Sequence, residues 1–358
     1  MTVLWITDFF PKSEKAETTG GVETRCFYVS KYLREQGYDV KIIARETSGS
    51  VWHTASFKSL PDRIIFTLKA LISGLKTDFD IVEGSNSATF PIAWLLGFIK
   101  RKPVVFWYPD VFAGTWYKRF GPVGLIGDLS DWILLRLPVS RYLAISNQTR
   151  EKLISHGVLP EKIKVVYCGI DVKEMAGVDE SRKKYDLVAV SRLLPYKRLE
   201  DLVLALDHKW KMALVGQGPE LANLEKLVQK LSLEKNVDFL GFIPDRSKVL
   251  EIIKSARVFC HPSIVEGFGI VVVEAMALGV PVVAADIPVI REITQNGKGC
   301  LLFKPQDPRD LGEKIRKLLR DKKLYQRKVS EARQVAAGYT WKSAAGRTAQ
   351  VYEDLHAD

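Results

Sequence analysis

Two glutamates eight residues apart, Glu266 and Glu274, bracket Gly267 and Gly269 in the stretch HPSIVEGFGIVVVEAMALGVPVVAAD, residues 261–286. The pattern reads strand, tight loop, helix, turn, strand. A helix beginning near Gly269 turns its unpaired N–H groups and the positive end of its dipole toward the loop, which suits a phosphate. Glycines there let a diphosphate approach the backbone with no Cβ in the way. Glu274, about one turn into that helix, is placed to accept from ribose hydroxyls, and Glu266 in the loop to meet hydroxyls of a sugar. Spacing alone also allows a plainer reading, with Glu266 a helix cap and Glu274 a surface charge.

Other chemistry-bearing residues are sparse. The five histidines form no ligand cluster, although His261, just before Pro262 and Ser263, stands where it could line the same pocket or be buried and satisfied. Cys26, Cys168, Cys260 and Cys300 are widely scattered, which implies neither a disulfide framework nor a zinc site.

The elements that must position the glutamates follow from the hydropathy pattern. Short apolar runs alternate with longer amphipathic segments, the signature of β-α units feeding a parallel sheet buried on both faces. In the first half the runs are residues 3–7, 40–44, 81–84, 104–108, 142–146 and 164–168. Between the first two, Val22, Cys26, Val29, Tyr32 and Leu33 recur at helical spacing, with Gly37 as the stop. After the charged stretch 179–184 the runs restart at 187–191, 212–216, 237–241, 258–263, 282–286 and 300–303. Two α/β sets without an internal repeat imply two doubly wound, Rossmann-like domains facing across a cleft, with ligands at the carboxyl ends of the strands. Expected boundaries are 1–172 and 173–340, with 341–358 an amphipathic helix packing back toward the first domain.

Length and composition agree with this. The 358 residues suit two domains, and 27% charged residues argue against a mainly disordered chain. No stretch approaches the ~18 apolar residues of a spanning helix, and the first residues read as a strand rather than a signal peptide. A cytoplasmic location is expected. The net charge of +11 is spread evenly, with 22 Lys/Arg against 16 Asp/Glu in residues 1–170 and 31 against 26 in the rest. No basic arm or Arg/aromatic ladder points to nucleic acid. A well-solvated surface and a peripheral role on the inner face of an anionic membrane both account for the excess.

The 261–286 segment resembles the E-x7-E signature of family-4 retaining glycosyltransferases, which have the GT-B fold. Landmarks along nearly the whole chain share the resemblance and its order. They are Thr18-Thr19-Gly20-Gly21-Val22-Glu23 before the first helix, Gly169-Ile170-Asp171 before the linker, Ser191-Arg192-Leu193 with Lys197, Gly216-x-Gly218-Pro219, and Gly241-Phe242-Ile243. The resemblance implies that Arg192 and Lys197 grip the diphosphate of a nucleotide sugar, doing what a metal does elsewhere. It implies that Gly20 and Gly21 let the first loop close over the phosphates, and that Gly216, in the second Gly-rich turn, binds the donor with Gly267, Phe268, Gly269 and Ile270. Phe242 and Ile243 would frame the base, Glu274 bind the ribose and Glu266 the transferred sugar. No cofactor or divalent metal is expected. Asp78-Phe79-Asp80 does spell the D-x-D of metal-dependent transferases of the other major fold, but at the amino end of its strand.

Two departures stand out. Where many relatives carry a histidine at the end of the fourth strand, this chain has Trp107-Tyr108-Pro109-Asp110, leaving Asp110 as a candidate catalytic residue. Ile287-Pro288-Val289 replaces a small-residue turn. The resemblance further implies transfer with retention, the acceptor attacking from the face the diphosphate leaves, and a glycan or lipid-linked acceptor. Residues 112–137, with Trp116, Tyr117, Phe120, Leu125, Ile126, Trp132, Ile133, Leu134 and Leu135 among Lys118, Arg119 and Arg136, read either as core or as a surface for an anionic membrane. The rival readings are a nucleotide-sugar 2-epimerase or phosphorylase of the same architecture and a non-catalytic nucleotide-sugar-binding subunit.

Overall fold

The computed structural model describes residues 1–8, 10, 20–44, 60–114, 116, 121–178 and 183–357; Thr18, Thr19, Tyr117, Lys118, Arg119 and Phe120 lie outside them. The chain divides into two compact units, Met1–Cys168 with Trp341–Asp358, and Gly169–Thr340.

The first unit is built on a parallel sheet of six strands: β1 (Thr2–Thr7), β2 (Asp39–Ala44), β3 (Ile81–Gly84), β4 (Val104–Tyr108), β5 (Arg141–Ala144) and β6 (Ile163–Val165). Their order is β2-β1-β3-β4-β5-β6. β1 and β4 are buried along almost their whole length, which is why they read as unbroken apolar runs. Side chains alternate between the two faces. Leu4, Ile6, Val82, Phe106 and Tyr142 join a core with Ala70 of α2 (Leu60–Lys76), Leu96 of α3 (Phe90–Lys100), Leu134 of α4 (Gly124–Leu134) and Leu153 of α5 (Asn147–Ser155). Trp5 and Trp107 point the other way, toward Arg25 of α1 (Gly21–Glu35). The closing helix of the chain, Trp341–Ala357, packs on α1. There Trp341 stacks on Tyr28, with ring centroids 5.5 Å apart.

The second unit repeats the architecture with β7 (Tyr185–Val190), β8 (Met212–Val215), β9 (Val237–Gly241), β10 (Ala256–His261), β11 (Val282–Ala285) and β12 (Cys300–Phe303), in the order β12-β11-β10-β7-β8-β9. All strand pairs in both sheets are parallel. The helices are α6 (Val172–Ala176), α7 (Leu199–Leu204), α8 (Leu221–Lys230), α9 (Arg246–Lys254), α10 (Ile270–Ala277), α11 (Pro288–Ile293), α12 (Pro308–Arg320) and α13 (Lys322–Ala336); Trp341–Ala357 is α14. Asp171, Asp245, Asp307 and Asp321 cap α6, α9, α12 and α13 by accepting from first-turn amides.

This strand order places a topological switch in each unit. In the second, the chain runs from β7 outward to β9 on one side, then returns to β10 and runs outward to β12 on the other. The loops after β7 and β10 therefore part in opposite directions and leave a crevice at their carboxyl ends, where open α/β sheets bind ligands. In the first unit the switch lies between β1 and β3.

Candidate functional site

The loop after β7 carries Arg192 and then a single 3-10 turn, Pro195–Lys197, before α7. The loop after β10 carries Glu266. At the crevice between them Lys197 Nζ donates to Glu266 Oε1, and both side chains are nearly out of solvent. His261, the last residue of β10 and 2% exposed, brings its Nε2 to 2.9 Å from the same oxygen. That short contact is misaligned, and Nε2 completes no well-formed hydrogen bond. Burial pushes the Glu266 carboxyl up, but Lys197 and His261 outweigh it and hold the group well below the usual carboxylate range. Glu266 is thus an anion fixed between two nitrogen groups. The backbone locks the two loops together as well, since Ile264 N donates to Tyr196 O at 3.0 Å.

Beyond Glu266, the chain enters α10 through Gly269, whose φ of 88° is the left-handed conformation that favours glycine. The amides of Val272 and Val273 turn back to Gly269 O, whereas those of Ile270 and Val271 precede any helical carbonyl partner. Phe268 is buried edge-on against Tyr339, at 5.6 Å, so its side chain anchors the loop from below. Glu274, 2% exposed within α10, accepts from Arg246 Nη2 at 2.7 Å. Arg246 in turn donates from Nε to both oxygens of Glu174, at 3.0 and 2.9 Å. Asp171, capping α6, places Glu174 for that contact.

Arg192 is exposed, with Nη2 donating to the Tyr196 hydroxyl at 3.1 Å. Its loop lies directly on the turn after β8. Leu193 N donates to Gln217 O at 3.0 Å, and Ser191 N to Val215 O at 3.0 Å. A Cβ on Gly216 would stand 1.8 Å from Ser191 O, and one on Gly218 would stand 2.3 Å from Leu193 O. Gly216 also has a φ of 132°. The glycines of this turn therefore make room for the backbone that carries Arg192. Phe242 and Ile243, half-buried, follow β9 next to it.

A contrast follows between two glycines. Gly216→Ala is expected to cost about 1–3 kcal/mol, as forced overpacking does, and to displace the Arg192 loop. Gly20 caps α1 in extended backbone, φ −164°, with no atom of the described residues within 4 Å of an added Cβ. Gly20→Ala should leave the urea midpoint where it is, and equal losses in the two variants would contradict this account.

The structure gathers Arg192, Lys197, Gly216, Phe242, Ile243, Glu266, Gly267, Phe268, Gly269, Ile270 and Glu274 into loops and a helix start at or beside the carboxyl edge of one sheet. Gly20, Gly21 and Asp110 belong to the first unit. Gly20 and Gly21 are exposed at the start of α1. Asp110 follows β4, accepts from Lys152 Nζ at 2.6 Å and from Val111 N at 2.8 Å, and has a side chain 8% exposed. Asp78 and Asp80 precede β3 at its amino end, 3.8 Å from Lys100 and Lys102 respectively. The four cysteines are buried free thiols. His261, Arg246 and Glu174 were not singled out as partners by sequence reasoning. The available signal was an arginine opening the helix after the Gly241–Ile243 turn.

Known proteins share this organisation. The model described as Glycosyltransferase Family 4 matches residues 19–174, and that described as Glycosyl transferases group 1 matches 173–335. An uncharacterized glycosyltransferase of Methanocaldococcus jannaschii is 30% identical over 302 residues, 77% of this chain and 75% of that protein. The MMP alpha-(1->4)-mannosyltransferase of Mycolicibacterium hassiacum is 26% identical over 326 residues, 84% of this chain and 76% of that one. Among solved structures, sucrose-phosphate synthase from Thermosynechococcus elongatus superposes with a TM-score of 0.80 at 19% identity, covering 99% of both chains. Anabaena HepE in complex with UDP-glucose does so at 0.75 and 21%, covering 99% of this chain and 100% of that one. Two six-stranded parallel sheets, the paired domain models and a relative of this extent lead to one assignment: the chain belongs to the glycosyltransferases, as a GT-B protein of family-4 type.

Proposed function

We propose that this chain is a retaining hexosyltransferase that takes its sugar from a nucleoside-diphosphate donor without a divalent metal and passes it to a glycan or lipid-linked acceptor. The observation that carries the reading is the cluster at the β7–β10 switch, where a nearly buried lysine, an ionised glutamate and the start of α10 meet. A nucleoside diphosphate departs as an anion, so its developing charge needs fixed positive groups. Lys197 and Arg192 supply them, and the first amides of α10 add donors. Glu274, oriented by Arg246, accepts from the ribose hydroxyls. Glu266 accepts from the sugar.

The lock on Glu266 bears on stereochemistry. A carboxylate tied to Lys197 and set against His261 is ill-suited to attack an anomeric carbon, which favours an acceptor entering on the face that the diphosphate leaves. The departing phosphate then takes the acceptor proton, while the chain supplies orientation and charge stabilisation. Asp110 remains the candidate for touching the acceptor hydroxyl, with Lys152 as its present partner. Gly20 and Gly21 leave the start of α1 open to the donor phosphates. In this reading the chain works in the cytoplasm, peripheral to the inner face of the membrane.

A thermal-shift screen against UDP, GDP, ADP and their sugars, with a chelator present, tests the donor site. One nucleotide family should raise the melting temperature, and Glu274→Ala or Lys197→Ala should remove the shift. A shift unchanged in both variants overturns the assignment. Binding with no nucleoside diphosphate ever released, whatever acceptor is supplied, would instead identify a binding subunit.

A further inference from the structure

The first unit carries apolar surface that its own core does not use. The inner sides of α2, α3, α4 and α5 cover one face of the sheet, as the shared core of Ala70, Leu96, Leu134 and Leu153 with Leu4 and Phe106 shows. Yet the outer side of α2 is apolar too. Ile64, Ile65, Leu68, Ile72 and Leu75 follow helical spacing along one stripe, each between 42% and 55% exposed. On α4, Leu125, Ile126, Leu129, Trp132 and Ile133 do the same, at 47% to 72%. Phe98 and Ile99 extend outward at the end of α3. Twelve of the fifteen large hydrophobics exposed among the described residues thus lie on one layer of helices, on the side away from the sheet. A helix apolar on both sides is normally covered on both, and a patch of this kind marks an interaction site.

We infer that this outer layer rests on an anionic lipid bilayer. The inference deepens the proposed function, since it names the surface on which a lipid-linked acceptor is met. Charge selects the occupant. The stripe on α2 is interleaved with exposed Lys69 and Lys76, and α3 is followed by exposed Arg101, between Lys100 and Lys102, which face Asp78 and Asp80. On α4 the Arg136 guanidinium stacks over Trp132 at 4.0 Å. Residues 1–170 carry a net of +6 and the whole chain +11. A second copy of the chain would set like charges against like, whereas a bilayer containing anionic lipid supplies the opposite sign together with an apolar interior. The 17 residues of α2 include Asp62, Arg63, Lys69 and Lys76, and no helix among the described residues is long and apolar enough to cross a membrane. The contact is one of helices lying in the interface, with apolar side chains down and lysines reaching to the headgroups.

Flotation of the full chain with phosphatidylcholine vesicles, with and without phosphatidylglycerol, tests this in the absence of donor and acceptor. Flotation is expected only with the anionic lipid and should weaken in high salt. Leu68→Ser with Ile72→Ser should lower the bound fraction by at least about tenfold, given two aliphatic side chains withdrawn from an apolar phase. Lys69→Glu with Lys76→Glu should weaken binding at low salt. No flotation on anionic vesicles at low salt, or flotation indifferent to the serine pair, overturns the inference. So does a concentration-dependent dimer in light scattering that the serine pair abolishes, because a second copy then covers the face. The nucleotide thermal shift is read on the same variants. Vesicle binding without a nucleotide shift leaves the docking surface and removes the donor reading, and the converse removes only the surface.

Discussion

Lys197→Ala is expected to lower donor turnover by roughly 10²–10³-fold, the scale of losing one preorganised charge-stabilising group at a developing anion. The side chain stands at the end of the 3-10 turn that follows β7, with Nζ on Glu266 Oε1 and little solvent to replace it. Its removal has a second consequence. Glu266 is lowered in pKa only because Lys197 and His261 oppose the effect of burial. Without the lysine, that effect is opposed by His261 alone, and breaking a buried pair by deleting one partner costs about 3–5 kcal/mol. The two effects separate in a double variant. Lys197→Ala with Glu266→Gln should regain most of the lost stability, since no carboxylate is left unpaired, yet recover none of the turnover, because the cation at the diphosphate and the carboxylate at the sugar are then both gone. Nucleoside diphosphate release under saturating donor and the urea midpoint are the two measurements. A double variant that restores turnover would show the lysine acting only through the fold.

The same pair predicts a pH signature. A carboxyl group whose folded pKa lies below its unfolded one contributes stability above the unfolded value, about 4.3 for glutamate, and loses it as pH falls toward the folded value. Because the Glu266 value is held so low, the stability gap between wild type and Glu266→Gln should be constant near neutrality. It should narrow only under acid conditions, below the unfolded range.

How much of this was legible in the sequence depends on how local each feature is. Each of the twelve apolar runs overlaps one strand, most closely where the strand is buried on both faces, as in β4 and β11, and least at the edge, where β6 covers only Ile163–Val165. Glu266 and Glu274 stood out by spacing, since one loop and one helix hold both, but spacing also allowed a helix cap and a surface charge, and the burial of Glu274 against Arg246 is a tertiary feature. Their partners did not stand out. Glu174, Arg246 and Glu274 come from three elements separated by 72 and 28 residues, and nothing in a linear pattern ties α6 to α9 and α10. His261 read as a strand-end histidine that either lines the pocket or is buried and satisfied, and its meeting with Glu266 depends on how the intervening loop turns. Gly216 was legible as a tight turn, but that its missing side chain makes room for Ser191 O depends on how two loops from different strands pack. Residues 112–137 divide: among those described, Leu134 and Leu135 are core, whereas Leu125, Ile126, Trp132 and Ile133 face outward. Periodicity finds an apolar stripe without saying which side of the helix meets the sheet.

The largest loss of stability is expected from Arg25→Leu. Arg25 is 2% exposed and its guanidinium lies over the rings of Trp5 and Trp107, at 4.5 and 4.9 Å. It pairs with Glu83 of β3, which is fully buried. Burial works against the arginine's charge, and Glu83 more than compensates, raising its pKa. Tyr352 of α14 completes the network. Its hydroxyl donates to Glu83 Oε2 at 2.5 Å and accepts from Trp5 Nε1 at 2.9 Å. Two strands and the two helices on that face of the sheet are therefore joined through one carboxylate. Without Arg25 that carboxylate stays buried with no counter-charge, a cost of about 3–5 kcal/mol against a total stability of about 5–15 kcal/mol for a typical protein. Tyr352→Phe should cost less, about 1.5–3 kcal/mol, as it removes one hydrogen bond to a charged group and strands the Trp5 N–H. Arg25→Leu with Glu83→Leu should recover most of the loss, because an apolar pair in place of a buried ion pair is often neutral or better. Urea denaturation gives the energies. Hydrogen exchange of residues 341–357 shows whether α14 loosens once the Tyr352 contacts with Glu83 and Trp5 are cut. Equal protection of α14 in wild type and Tyr352→Phe would mean that the tie through Tyr352 does not hold the helix.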